Sequence, residues 1–323
     1  MKQLVLVIHQ GALGDVVLSF PALLAARHAL GAGVALLAQD QIGRLARRLG
    51  VAEASFPVES CGFSRLFVDK PDYRLQAFYK RFEQVVVIGL CQDLQKIVKR
   101  YHDHVAFVRS RPPIGSRDHV AAYVMAQMAE KVLGGNGNGR DKAESGVSLG
   151  PIDIVEKKKD LLVIHPGAGS RRKRWALDRF VELAGVLGNA DVRIVFLIGP
   201  ADGDLLSALK ERVAGMPMDV RVTDVLDEVV DLMASARGFV GNDSGLAHLA
   251  AFLGIPTVAV FGPSDPRRWS PMGEAVRIVT GGAQCPPCFE TEAQNCKDSI
   301  CLRGVSVAMV LEALEGLGVL KAG

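Results

Sequence analysis

Short apolar runs alternate with helical patterns along this chain of 323 residues, and the alternation breaks once and then resumes. LVLVI (4–8) reads as a buried strand, and VVLSFPALLAARHAL (16–30) as a helix that contains Pro21. VALLA (34–38), VVVIGL (85–90) and VAFV (105–108) are further strands, and HVAAYVMAQMAEKVLG (119–134) is helical up to Gly134. Strands covered by helices on both faces read as continuous apolar runs rather than as alternation. The stretch GGNGNGRDKAESG (134–146) has no periodicity and reads as a linker or exposed loop. The rhythm then restarts with LLVI (161–164), a helix near 176–187, VRIVFLIG (192–199), a helix near 202–214, FVGN (239–242), GLAHLAAFLG (245–254) and PTVAVFG (256–262). This pattern predicts an α/β fold of two Rossmann-like, doubly wound domains, 1–150 and 151–323, facing a central cleft. The amphipathic stretch VSVAMVLEALEGLG (305–318) is a closing helix, expected to pack back on the first domain.

Hydrophobic residues make up 49% of the chain, enough to bury two cores. The net charge of +3 is too small to imply duplex nucleic acid as a partner. The charge is uneven, with 14 Lys+Arg against 7 Asp+Glu between Arg44 and Arg117. Such an excess is either a solvated surface or a face for an anionic ligand or membrane. LVLVI is followed by HQGALGD rather than by a small-residue cleavage site, so no leader is expected. No apolar run reaches the roughly 18–20 residues that span a bilayer. The expected location is the cytoplasm, peripheral to a membrane.

Three strand-end loops carry the candidate chemistry. In HQGALGDVVLSFPAL (9–23), Gly11 and Gly14 permit a tight turn and close approach to a ligand. Asp15 follows, either as a helix cap or as a general base at the mouth of a cleft. The G-x-G-x-x-G dinucleotide fingerprint is absent here. In HPGAGSRRKRW (165–175), a small-residue turn with Ser170 precedes Arg171, Arg172, Lys173 and Arg174. It does not match a P-loop, yet backbone amides, cations and a nearby helix start suit a diphosphate. Trp175 is expected to anchor that helix. In GNDSGLAHLAAFLGIPTVAVFGPSDP (241–266), Asp243, Ser244, Gly245 and Leu246 open a helix whose first amides suit phosphate oxygens, and His248 follows on the first turn. His248 is either a core residue or a phosphate neighbour. Arg111, Arg117 and Gly14 are the candidate acceptor contacts. Finally, Cys285, Cys288, Cys296 and Cys301 have a spacing that could bind zinc as a structural metal, although unlinked thiols are the alternative. Cys61 and Cys91 read as buried thiols.

Taken together, GALGDVVLSFPAL, HPGAGSRRKRW and GNDSGLAHLAAFLGIPTVAVFGPSDP resemble glycosyltransferase family 9, the lipopolysaccharide heptosyltransferases, in the family's order and spacing. The resemblance implies the GT-B fold and inverting transfer of a heptose from ADP-heptose to inner-core lipopolysaccharide, at the cytoplasmic face of the inner membrane. The implied partners are ADP-heptose or a related nucleotide-sugar, a lipid-linked oligosaccharide acceptor and the membrane surface, with no nucleic acid. By the same resemblance Asp15 is the base and Lys173 meets the donor phosphates. Asp243, Ser244, Gly245 and His248 match the D-[TS]-G-x-x-H donor loop, and Asp202 or Asp204 is the ribose contact. The cysteine-rich segment resembles one found in many members. His9-Gln10 stands where many members carry Arg or other polar residues. A clamp of cations and amides on the leaving diphosphate implies that no cofactor is required. Two readings compete on this architecture: a nucleotide-sugar epimerase of the UDP-GlcNAc 2-epimerase kind, and a non-catalytic binding module in which Asp15 is only a cap. A glycosyltransferase using another nucleotide-sugar is a third.

Overall fold

The apolar runs become parallel strands. In a computed structural model that describes residues 4–59, 63–68, 72–134, 160–188, 192–282, 287–289, 296 and 299–320, the chain divides into two compact units. These are Met1–Pro113 with Asp118–Ser148, and Ile114–Arg117 with Leu149–Gly323.

In the first unit, β1 (Leu4–His9), β2 (Gly33–Ala38), β3 (Ala54–Pro57), β4 (Gln84–Gly89) and β5 (Val105–Arg109) form one parallel sheet in the order β3-β2-β1-β4-β5. Leu6 of β1 stands opposite Ala35 on one side and Val85 on the other. Helices α1 (Leu13–Leu30), α2 (Asp40–Arg48), α3 (Tyr73–Tyr79), α4 (Asp93–Val98) and α5 (Val120–Lys131) cover it. One face buries Leu6, Ile8, Leu37, Val85 and Val87 under Tyr79, Phe82 and Tyr101. Helix α1 runs through Pro21, which is buried within it. By length and composition α1 could cross a membrane, which amends the expectation that no such run exists. Half of it is buried within the protein and it packs on α5, as a core helix does.

In the second unit, β6 (Leu161–His165), β7 (Arg193–Ile198), β8 (Met218–Val222), β9 (Gly238–Asn242), β10 (Thr257–Phe261) and β11 (Val276–Thr280) form a second parallel sheet, β11-β10-β9-β6-β7-β8. Its helices are α6 (Leu177–Gly188), α7 (Gly203–Arg212), α8 (Leu226–Ala234), α9 (Gly245–Phe252), the short α10 (Pro266–Trp269) and α11 (Ile300–Arg303), and α12 (Val307–Gly316). Helix α12 packs on β10, β11 and α6, and its Val307, Val310 and Leu314 belong to this unit's core. The apolar face expected to return to the first domain is therefore spent in the second. The 134–146 linker lies outside the described residues from 135 onward.

Both sheets are wound outward in both directions from their first strand. The strand order therefore reverses between β1 and β4 in one unit and between β6 and β9 in the other. Chain crossovers leave to opposite faces at such a point, so a crevice opens beyond the carboxyl ends of those two strands. The three candidate loops follow β1, β6 and β9.

Candidate functional site

In the first unit a cavity of about 250 Å³ lies at the reversal point, lined by the ends of β1 (His9, Gln10, Gly11) and β4 (Gly89, Leu90, Cys91), with Asp15, Ser110 and Arg111. Asp15 sits in the first turn of α1, where a carboxylate faces the positive end of the helix dipole. It is not the cap: Ala12 holds that position and offers no side-chain hydrogen bond. Arg111, just past β5, donates from Nη2 to both carboxylate oxygens of Asp15, at 3.1 Å each. Gly14 is half-buried beside it. Arg117 is exposed, on the short segment that groups with the second unit. Of the two arginines read as acceptor contacts, Arg111 is thus the one brought to Asp15. Cys91, read as a buried thiol, is exposed at the cavity mouth, and Cys61 lies outside the described residues.

His9 ends β1, is 2% exposed, and accepts the Gly11 N–H on Nδ1 at 3.0 Å. Burial pushes its imidazole down to a pKa of about 4; the Asp15 charge opposes that shift and the Arg111 charge adds to it.

In the second unit the basic loop is built on a buried carboxylate. Asp202 Oδ2 lies 3.0 Å from Nε2 of His165, the last residue of β6. Its Oδ1 accepts from Ala168 N at 3.1 Å and from Arg174 Nη2 at 3.2 Å. A Cβ on Gly167 would fall about 2 Å from this carboxylate, so only glycine fits at 167. Burial raises the Asp202 pKa, but the His165 hydrogen bond and charge, the Arg174 charge and the Ala168 amide outweigh it and hold the group below the usual carboxylate range. Asp202, one of the two residues read as the ribose contact, thus pins the loop. Asp204 is likewise engaged, by Arg174 Nη1 at 2.9 and 3.0 Å and by Arg171 at 3.1 Å.

The four consecutive cations take different partners. Arg174 and Arg171 neutralise Asp202 and Asp204. Arg172 lies over the Phe289 ring, 5.0 Å from its centroid, and donates to Cys288 Sγ at 3.0 Å. Lys173 also lies by that ring, its ammonium 5.5 Å from the Phe289 centroid and 2.7 Å from Asp243 Oδ2. Ser170 precedes this turn, and its carbonyl accepts the Lys173 N–H at 3.0 Å.

Trp175 does anchor the next helix: its indole N–H reaches the Val305 carbonyl, and its ring meets Phe180 edge-on. Its backbone N–H donates to Oδ1 of Asn242 at 2.8 Å. The Asn242 amide in turn donates to the carbonyls of Pro166 and Gly167 at 2.8 and 3.2 Å. Asn242 is fully buried and ties the loop after β6 to the end of β9. Next to it Asp243 is 4% exposed, and Ser244 caps α9 by accepting from Ala247 N at 3.4 Å. Capping occupies an acceptor lone pair of Ser244; its O–H and the half-exposed Gly245 and Leu246 stand at the positive end of the helix. His248 is 5% exposed, within the helix's buried face.

Cys285 lies outside the described residues. Among the described residues no group of three or more His, Cys, Asp or Glu is placed to hold a metal ion. Cys288, Cys296 and Cys301 are not gathered as the expected ligand set, and Cys288 faces a guanidinium instead.

Residues 123–297, more than half of the chain, match the model of glycosyltransferase family 9 (heptosyltransferase). Lipopolysaccharide heptosyltransferase 2 of Salmonella typhimurium is 31% identical over 130 residues, which are 39% of this chain and 37% of that protein. The match thus spans less than two fifths of that relative's length. Lipopolysaccharide heptosyltransferase 1 of the same organism is 23% identical over 284 residues, covering 81% of this chain and 89% of its own. Among solved structures, a family 9 glycosyl transferase from Veillonella parvula superposes with a TM-score of 0.75 at 18% identity, covering 98% of this chain and 97% of its own. Escherichia coli heptosyltransferase WaaC with ADP gives 0.71 at 18% identity, covering 98% and 100%. These are GT-B-type folds, as the two parallel sheets predict. The family match contains Lys173, Asn242 and Asp243, the residues that join the two loops at the β6–β9 reversal, together with Asp202, and on that match the chain belongs to glycosyltransferase family 9.

Proposed function

We propose that the protein is an inverting glycosyltransferase that moves a heptose from ADP-heptose to an inner-core lipopolysaccharide acceptor. The observation that carries this reading is the meeting of Lys173, Asp243 and the first turn of α9 beyond the ends of β6 and β9. A cation, a helix N-terminus and the Ser244 hydroxyl there suit the diphosphate of a nucleotide-sugar. The likeness to heptosyltransferases, one of them solved with ADP, supports this choice of donor.

In this reading Asp15 takes the proton of the acceptor hydroxyl. The freed oxygen attacks the anomeric carbon, the bond to the diphosphate breaks, and its electrons leave with ADP. Negative charge grows on the departing phosphate, where Lys173 and the α9 amides stabilise it more than they stabilise bound donor. Asp243 holds the Lys173 ammonium in place until then. The acceptor is lipid-linked and anionic, so the reaction takes place at a membrane surface, the inner face of the inner membrane.

Release of ADP from ADP-heptose, with and without a lipid-linked inner-core acceptor, tests this. Turnover should require acceptor, which an epimerase would not. Asp15→Ala should lower kcat by at least about 100-fold, the scale of general base catalysis, and leave ADP affinity unchanged. Full turnover by Asp15→Ala would reduce that residue to a structural role.

A further inference from the structure

Helix α1 starts without the usual device that fixes a helix start. Its N-cap is Ala12, which supplies no side-chain acceptor. The amide just upstream, Gly11 N–H, is instead taken by the side chain of the last β1 residue, at 3.0 Å from His9 Nδ1. The imidazole is also wedged against the turn. A Cβ on Gly11 would come within 2.6 Å of His9 Cε1 and 2.8 Å of Asp15 Cβ, so the ring and the carboxylate-bearing residue both close on this turn. His9 is anchored in turn by β1, where it pairs with Ile88 of β4, and it lines the cavity.

We infer that His9 is the positioning residue for Asp15: its Nδ1 lone pair fixes the Gly11 turn and so sets where the carboxylate is presented in the cavity. The inference rests on the general-base reading of Asp15. Because Nδ1 accepts a hydrogen bond, the ring carries its proton on Nε2 and is held in one tautomer. A neutral ring is needed for this, and burial keeps it neutral well below pH 6.5. With its one lone pair committed to the Gly11 N–H and its proton on Nε2, the ring does not compete with Asp15 as the base. Displacement of a reacting group by about an ångström costs on the order of 100-fold in rate, so a turn fixed by one hydrogen bond is a sensitive point.

The test is a pair of polar substitutions in the full chain. His9→Asn places a carbonyl oxygen where Nδ1 stands, whereas His9→Gln places it one bond too far. His9→Gln should lower kcat by roughly 10–100-fold, with the Kd for ADP unchanged, since the phosphate loops lie in the other unit. His9→Asn should recover most of the rate. Hydrogen exchange at the Gly11 amide should follow the same order, protected in wild type and His9→Asn and fast in His9→Gln. Equal rates in His9→Gln and wild type overturn the inference, as does a His9→Asn no better than His9→Gln while Asp15→Ala is inactive. Full turnover by Asp15→Ala overturns the base assignment and this inference with it, and is read independently of the His9 pair.

Discussion

At the scale of single residues, the sequence exposes groups that stand in a local motif and hides their distant partners. Asp15, Lys173 and Asp243 are legible because each follows a strand-like run and a small-residue turn. Arg111 is 96 residues from Asp15, Asp202 is 37 from His165, and Asn242 is 67 from Trp175. Nothing local marks such pairs, so a run of four cations does not reveal that two of them pair with Asp202 and Asp204. One signal was available: a glycine at 167 beside a buried histidine points to a backbone approached closely by something. Burial also gives the two sites distinct acid responses. His9 has a folded pKa of about 4 against an ordinary 6.5, so the unfolded chain takes up its proton first as the pH falls. Its contribution to stability is intact above pH 6.5 and is lost between there and about pH 4, a total of about 3 kcal/mol. Asp202, whose pKa is depressed, contributes stability above the ordinary carboxylate range and loses it only at lower pH. Urea unfolding of the full chain at pH 7.5, 5.5 and 4.5 should show the loss in wild type and not in His9→Asn. Parallel pH curves for the two proteins would refute the assignment.

At the scale of elements, interior strands were legible and, apart from β5 (VAFVR), edge strands were not. LVLVI, VALLA, LLVI and FVGN are covered on both faces and read as apolar runs. The edge strands β3 (ASFP), β8 (MDVRV) and β11 (VRIVT) are only partly buried and carry polar residues, so no run marks them. The reversal of strand order cannot be read at all without the pairing, yet it decides that β6 and β9 are neighbours and that their loops meet. Asn242 is the fastener between those loops, satisfying one donor and two acceptors while fully buried. Asn242→Ala should leave the Trp175 N–H and the Pro166 carbonyl buried without it, costing about 2–6 kcal/mol of stability at about 1–3 kcal/mol per orphaned group. It should also weaken ADP binding, because Lys173 stands on the loop so released. Ser244→Ala, which removes a helix cap, should cost only about 1 kcal/mol. Denaturant unfolding and ADP titration of the two variants should therefore rank Asn242→Ala as the more damaging in both; the reverse order would mean that the loops are held together otherwise.

At the scale of the whole molecule, the phosphate-type loops belong to one half of the sequence and the positive charge to the other. The excess of 14 Lys+Arg over 7 Asp+Glu from Arg44 to Arg117 is partly tied up locally, with Arg44 on Asp40, Arg65 on Asp72, Lys96 on Asp93 and Arg111 on Asp15. Asp40 and Asp15 lie outside that stretch, so counting them as well leaves 14 cations against 9 acids, still a local excess of 5. On the reading that the acceptor is lipid-linked and anionic, this charge brings the enzyme to it. Each cation near an anionic leaflet contributes on the order of 1 kcal/mol, screened beyond a Debye length of roughly 8–10 Å. The four exposed residues Lys80, Arg81, Lys99 and Arg100 are not equivalent as probes. Arg81 lies over the rings of Phe56, Phe78 and Phe82, and Arg100 donates to the Leu66 carbonyl, so removing either disturbs packing as well as charge. Lys80 and Lys99 are the C-terminal caps of α3 and α4, and replacing them by Gln removes charge at little cost to the fold. In sedimentation with anionic vesicles at low salt, wild type should bind and the Lys80→Gln, Lys99→Gln double variant should bind roughly 30-fold less, at about 1 kcal/mol per charge. Wild-type binding should fall away at roughly 0.5 M salt, where the Debye length is only a few ångströms. The double variant should also turn over lipid-linked acceptor more slowly while its ADP affinity stays the same. Vesicle binding that is indifferent to salt, or equal for neutral and anionic lipid, would show that something other than this charge brings the protein to its acceptor.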